Sequence, residues 1–135
     1  MKKFKFLPPY KKPGQTSFPE TQNRSGVYLV KENNRLVYIG MSARNLYKTL
    51  YRHFETWDHP SQVVVTYKSR LKKHKYTVRV VLCTPGQAAR LERLLILKYN
   101  PRDNDLKYKG YQLTAFDERM IVMYENEPIN QAAPF

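Results

Sequence analysis

Ser25-Gly26-Val27-Tyr28-Leu29-Val30 and Leu36-Val37-Tyr38-Ile39-Gly40, with Lys31-Glu32-Asn33-Asn34-Arg35 between them, form the stretch whose reading decides the fold. Two apolar runs joined by a short Asn-containing break predict a β-hairpin. Tyr28 and Tyr38 stand on opposite arms of it. Behind the hairpin, Leu46, Leu50 and Phe54 fall at i, i+4 and i+8 with Tyr47 and Tyr51 beside them, which predicts an amphipathic helix over 45–55. Asn45 suits its N-cap, and Trp57-Asp58-His59-Pro60 closes it.

Working outward, residues 1–24 carry Pro8, Pro9, Pro13, Gly14, Pro19 and five lysines. They read as an extended basic arm, either mobile or laid along a nucleic-acid backbone. Downstream, 62–67 and 76–82 are β-branched runs, two expected strands around a loop at 68–75 that holds Lys68, Arg70, Lys72, Lys73 and Lys75. That loop is a solvated turn or a phosphate contact. Thr84-Pro85-Gly86-Gln87 opens a second helix, with Thr84 as N-cap, that runs to about Tyr99 and stops before Pro101. Thr114-Ala115-Phe116-Asp117 resembles a capping box and opens a third, after which the tail from Glu125 is expected to be loosely held.

The 135 residues suit one domain with a modest core rather than two. Twenty-four basic against eleven acidic residues leave a net charge of +13, which points to nucleic acid, with an anionic membrane surface as the alternative. No apolar run approaches the roughly 20 residues of a membrane helix, and the N-terminal stretch lacks a signal-peptide core. A single cysteine, Cys83, leaves no internal disulfide and reads as a small core residue, so an intracellular, cytoplasmic setting is expected. His53, His59 and His74 are too scattered for a zinc cluster.

Three sites carry chemistry. Glu92 has Ala88, Ala89, Leu95 and Ile96 one turn away on either side. A carboxylate among apolar neighbours needs a compensating partner: a basic side chain, water at a boundary position, or a hard divalent cation. Tyr28 and Tyr38 are ordinary strand aromatics or a proton-sharing pair, one of which activates water where cations lower its pKa. His53, three residues after Leu50, reads as a partly buried helix histidine.

Gly26-Val27-Tyr28, then Tyr38-Ile39-Gly40, a helix beginning Asn45-Leu46, Glu92 in Ala89-Arg90-Leu91-Glu92-Arg93-Leu94-Leu95-Ile96, and Pro101-Arg102-Asp103-Asn104 together resemble the GIY-YIG nuclease family. The last element is similar to the Pro-x-x-Asn of its excision-repair members. The resemblance spans Gly26 to Asn104, and it implies an α+β fold, a small mixed β-sheet flanked by helices. The implied division is a nuclease domain at 25–110 between the arm at 1–24 and a C-terminal extension at 111–135 packed on the same domain. The implied activity is DNA phosphodiester hydrolysis with one divalent ion, Mg²⁺ or Mn²⁺, and no small-molecule cofactor. The implied substrate is double-stranded DNA, with a homodimer left open.

Residue by residue, the resemblance makes Tyr28 the water-activating tyrosine, Tyr38 its partner and Glu92 the metal ligand. His53 becomes the helper in proton transfer or phosphate contact, and Asn104 a structural or phosphate-orienting amide. Gly40 becomes the glycine that lets the chain leave the second strand. The arginine expected one turn before the histidine is replaced by Thr49, and counting forward from Gly40 lands on Lys48. At about 100° per residue, Arg52 lies about 60° beyond Thr49 and Lys48 about 100°. Arg52, with its planar fork, is therefore the expected phosphate cation, with Lys48 and Arg44 as the other candidates. If no cation serves, the alternative is a catalytically weak or inactive nucleic-acid-binding module on the same scaffold. RNA as the target is a third reading.

Overall fold

A computed structural model describes residues 1–12, 15–16, 21–54, 66–104, 108 and 110–130. The hairpin forms as expected: β4 spans Gly26–Glu32 and β5 Arg35–Ser42. Its two-residue turn places Asn33 at φ 50° and Asn34 at φ 65°. Asparagine tolerates this left-handed region, and two such residues twist the arms as a tight hairpin requires. Ahead of the hairpin come β1 (Lys2–Phe4), β2 (Tyr10–Lys12) and β3 (Gln15–Thr16). Behind it come α1 (Leu46–Phe54), β6 (Tyr76–Leu82), α2 (Pro85–Tyr99), α3 (Ala115–Asn126) and β7 (Ile129–Asn130).

The main sheet is mixed, in the order β5-β4-β6-β1-β7. β4 pairs antiparallel with both β5 and β6, β1 antiparallel with β6, and β7 parallel with β1. β2 and β3 form a separate two-stranded ribbon. The α+β architecture expected from the sequence is therefore the observed one. β4 lies between β5 and β6 and is covered on both faces. Tyr28 and Val30 join a cluster with Leu46, Leu50 and Phe54 of α1, whereas Val27 and Leu29 join Ala88, Leu91 and Leu95 of α2 and Tyr124 of α3. Period-two alternation thus places α1 on one side of the sheet and α2 with α3 on the other.

The caps hold as read. The Lys48 amide donates to Asn45 Oδ1 (3.1 Å), and both Thr84/Gln87 and Thr114/Asp117 form reciprocal capping boxes. Elsewhere the structure departs from expectation. Lys2–Phe4, the start of the expected arm, is an inner strand. The adjoining 21–24 segment accepts the first α1 amides, Leu46 N–H on Arg24 O (3.0 Å) and Tyr47 N–H on Thr21 O (3.2 Å). From Glu125 to Asn130 the tail is held rather than loose: Lys98 pairs with Glu125, and Ile129 and Asn130 pair with Lys3 and Phe4; the rest of it, 131–135, lies outside the described residues. Of the two strands expected around the basic loop, Tyr76–Leu82 forms. Residues 55–65 lie outside the described set, so the end of the first helix and most of the other strand do too, and Thr66-Tyr67 lead into a 3-10 turn at Lys68–Arg70.

Candidate functional site

Tyr28 pairs with Gly40 across the hairpin and Tyr38 with Val30, so the two tyrosines are diagonal neighbours on the α1 face. Their ring centroids are 6.1 Å apart. His53, buried on α1, completes a triangle, 5.4 Å from the Tyr28 ring and 4.9 Å from the Tyr38 ring. The Tyr28 Oη lies 2.7 Å from His53 Nε2. Burial pushes the Tyr28 phenol well above the ordinary tyrosine range; the charge and hydrogen bond of Tyr38, then the charges of Glu92 and Tyr67, push it the same way. Tyr28 is therefore a protonated phenol at neutral pH. Water activation by a tyrosine whose pKa nearby cations lower is thus not what this phenol shows; desolvation raises it instead.

Gly40 has a different role from the one expected. It lies inside β5 rather than at its exit, and a Cβ there would stand 2.3 Å from Tyr28 Oη and 2.4 Å from its Cζ. The absent side chain is the space the phenol occupies. Gly26 serves the backbone in the same way, since a Cβ would meet the Val81 carbonyl at 2.2 Å.

Glu92 is buried on α2 at 8% exposure, and Tyr108 Oη donates to its Oε1 at 3.1 Å. It is near enough to Tyr28 for its charge to act on the phenol. Among the described residues no three His, Cys, Asp or Glu side chains converge. A carboxylate is the hard oxygen donor that suits Mg²⁺ or Mn²⁺.

The three candidate cations share one open cleft of about 410 Å³, between the end of β5 and the start of α1, lined by Met41, Ser42, Arg44, Lys48, Thr49 and Arg52 among others. It starts one residue past Gly40. Thr49 supplies no cation; its hydroxyl donates back to the Asn45 carbonyl at 3.2 Å. Asn104 uses both ends of its amide on the edge strand, accepting from Ile39 N–H (2.9 Å) and donating to Ile39 O (2.8 Å), while Asp103 N–H donates to Val37 O (2.9 Å). This arrangement is positional: it fastens the 101–104 loop along β5.

The basic loop lies elsewhere. Lys75 and Asn33 exchange backbone and side-chain hydrogen bonds at the hairpin turn, and Arg70 pairs with Glu32 at 3.2 Å. Lys68, Lys72, Lys73 and Lys75 are exposed beside it. Two residues unmarked by the sequence bear on the site. The Tyr67 amide donates to the His53 carbonyl (2.6 Å), its ring stands 6.4 Å from the imidazole, and its hydroxyl donates to Asp103 (2.9 Å). Tyr108 is the second, through Glu92. Neither has a spacing signal, since each meets its partner only through the folded chain.

No family model matches the chain, and no solved structure matches it. Over 82 residues it is 34% identical to the UvrABC system protein C of Fervidobacterium nodosum, an alignment covering 61% of this chain and 13% of that protein. The chain thus corresponds to a small part of that relative's length. Among the described residues no helix is long and apolar enough to cross a membrane.

Proposed function

We propose that the chain is a metal-dependent endonuclease of the GIY-YIG type that hydrolyses DNA phosphodiester bonds. The carrying observation is the buried Tyr28–His53 hydrogen bond of 2.7 Å, with Tyr38 packed on both rings. Because the phenol is neutral, Tyr28 acts as a relay: it accepts a proton from the attacking water as it passes its own to His53 Nε2. Tyr38 orients the Tyr28 hydroxyl, and Tyr67 fixes the imidazole. Arg52, with Lys48 and Arg44 in the same cleft, offsets charge developing on the phosphate oxygens. Glu92 would hold Mg²⁺ or Mn²⁺, which when bound supplies Lewis acidity toward the phosphate and the departing oxygen. The likeness to UvrABC system protein C and the Pro101-to-Asn104 signature both favour DNA of the kind handled in excision repair.

Plasmid nicking in Mg²⁺ or Mn²⁺ tests the proposal. Tyr28→Phe, His53→Ala and Glu92→Ala should each lose at least about 100-fold in rate while melting as cooperatively as the parent. Equal nicking by Glu92→Ala would sink it. The second reading, a module that binds without cutting, rests on Thr49 bonding its own helix where the resemblance calls for an arginine. Salt-sensitive DNA binding with no metal-dependent nicking by the parent chain would establish it instead.

A further inference from the structure

A second cleft, of about 460 Å³, opens at the other side of the same sheet end, lined by Lys2, Arg24, Ser25, Leu82 and Thr84 among others. The register joins it to the first. Ser42, Gly26, Leu82 and Lys2 are successive cross-strand partners on β5, β4, β6 and β1. Three strand spacings of about 4.8 Å separate the outer two, so the row is roughly 14 Å long. Arg24 lies between the clefts: its carbonyl accepts the Leu46 amide beside Asn45, which lines the first, while its residue lines the second. Strand alternation then sorts the lysines. Lys3 turns inward and donates to the Tyr124 and Glu125 carbonyls at 2.9 and 3.3 Å, whereas Lys2 is exposed at the rim, its Nζ 5.4 Å from the Phe4 ring.

We infer that this rim, with Arg24 and Lys2 as its outer contacts, is a phosphodiester-binding track that carries the DNA backbone away from the cleavage site. The inference rests on the endonuclease reading above. At about 3.4 Å of axial rise per nucleotide, 14 Å of duplex axis spans about four phosphates of one strand, and a rim that follows the winding backbone meets fewer of them. The 68–75 loop serves the scaffold rather than this path. It is anchored at the Glu32–Tyr76 row, six residues along β4 from Gly26, or roughly 20 Å at about 3.3 Å per residue. Arg70 there is engaged with Glu32.

Fluorescence anisotropy with a short labelled duplex tests the track, using the full chain carrying Glu92→Ala so that DNA is not consumed. Adding Lys2→Ala and Arg24→Ala should weaken binding about 10-fold near 0.1 M salt and reduce the slope of log affinity against log salt by nearly 2. Adding Lys72→Ala and Lys73→Ala should leave the slope unchanged. Both pairs are exposed, and the Arg24 carbonyl that accepts the Leu46 amide survives the substitution; thermal melts of each variant separate a loss of contact from a loss of fold. An equal slope loss for both pairs, or a loss for the loop pair alone, overturns the track and leaves the endonuclease reading standing. Absence of salt-dependent binding in the Glu92→Ala chain overturns both.

Discussion

Tyr28 and Glu32 stand four residues apart on β4, on the same face of one sheet, and the chain treats them in opposite ways. Glu32 is a buried charge met from every side. Its Oε1 accepts from Arg70 (3.2 Å) and Arg102 (3.0 Å), and its Oε2 from Tyr76 (2.5 Å) and Arg102 (3.2 Å). Arg102 above all, then Tyr76 and Arg70, hold its pKa down to about 2. Asp103 and Tyr67 extend the cluster to the backbone of α1. Tyr28 is a neutral phenol against an imidazole, with its pKa raised. The first arrangement spends cations to lock register. The second leaves a neutral phenol hydrogen-bonded to an imidazole, the pair on which the proposed relay rests, and Arg44, Lys48 and Arg52 line an open cleft that starts one residue past Gly40.

Forcing a side chain into the reactive end should give the largest effect. Gly40→Ala drives a methyl into the Tyr28 phenol. A displacement of about 1 Å at a reacting group costs about 100-fold in rate, and overpacking costs about 1–3 kcal/mol of stability. Thermal melts and nicking assays read the two losses separately. In a Tyr28→Ala background the stability cost of Gly40→Ala should fall below about 1 kcal/mol, because the colliding ring is gone. An undiminished cost would place the clash elsewhere.

Breaking the charged end should cost stability and spare chemistry. Glu32→Gln keeps volume but leaves Arg102 and Arg70 without their shared carboxylate, for a loss of about 2–3 kcal/mol in urea denaturation. Nicking per folded molecule should stay within about 3-fold. The pH dependence follows from the sign of the shift. Glu32 is held below its unfolded pKa, so its contribution is complete above about pH 4.5 and disappears as pH falls toward about 2. With both arginines only half-buried, that contribution is on the order of 2 kcal/mol. The parent should lose that much more than Glu32→Gln between pH 5 and about 2.5; parallel acid curves would remove Glu32 as the cause.

The same contrast marks what the sequence could disclose. The hairpin, the α1 stripe, the Thr84 N-cap and the Thr114–Asp117 capping box depend on residues a few positions apart, and they form as read. β1 escapes such reading: Lys2-Lys3-Phe4 looks like a solvated basic run, and its strand pairing depends on Val81 and Leu82, nearly eighty residues later. Lys3 hides a burial no local pattern signals, since its partners are the α3 carbonyls. Gly40 was legible as a required glycine but not for its reason, because the ring that needs the space comes from the neighbouring strand. Tyr28, Tyr38 and His53 were legible as a group through family resemblance; their 2.7 Å contact and raised pKa depend on α1 packing across β4.

Thr49→Arg should have the smallest effect, and it addresses the one cation the resemblance expects and the chain lacks. Thr49 lines the cleft with Arg44, Lys48 and Arg52, and its hydroxyl bonds the Asn45 carbonyl one turn back. Such a back-bond contributes little to a helix, and arginine is the better helix former, so stability should rise by a few tenths of a kcal/mol. An added guanidinium in the cleft should raise the nicking rate about 3-fold to 10-fold, under about 1.4 kcal/mol of transition-state stabilisation. If Arg52 already fills the role, Thr49→Arg leaves the parent rate unchanged yet restores nicking to Arg52→Ala. No gain and no rescue would mean that the phosphate charge is met by Lys48 or Arg44, and single alanine substitutions at those two positions would then separate them.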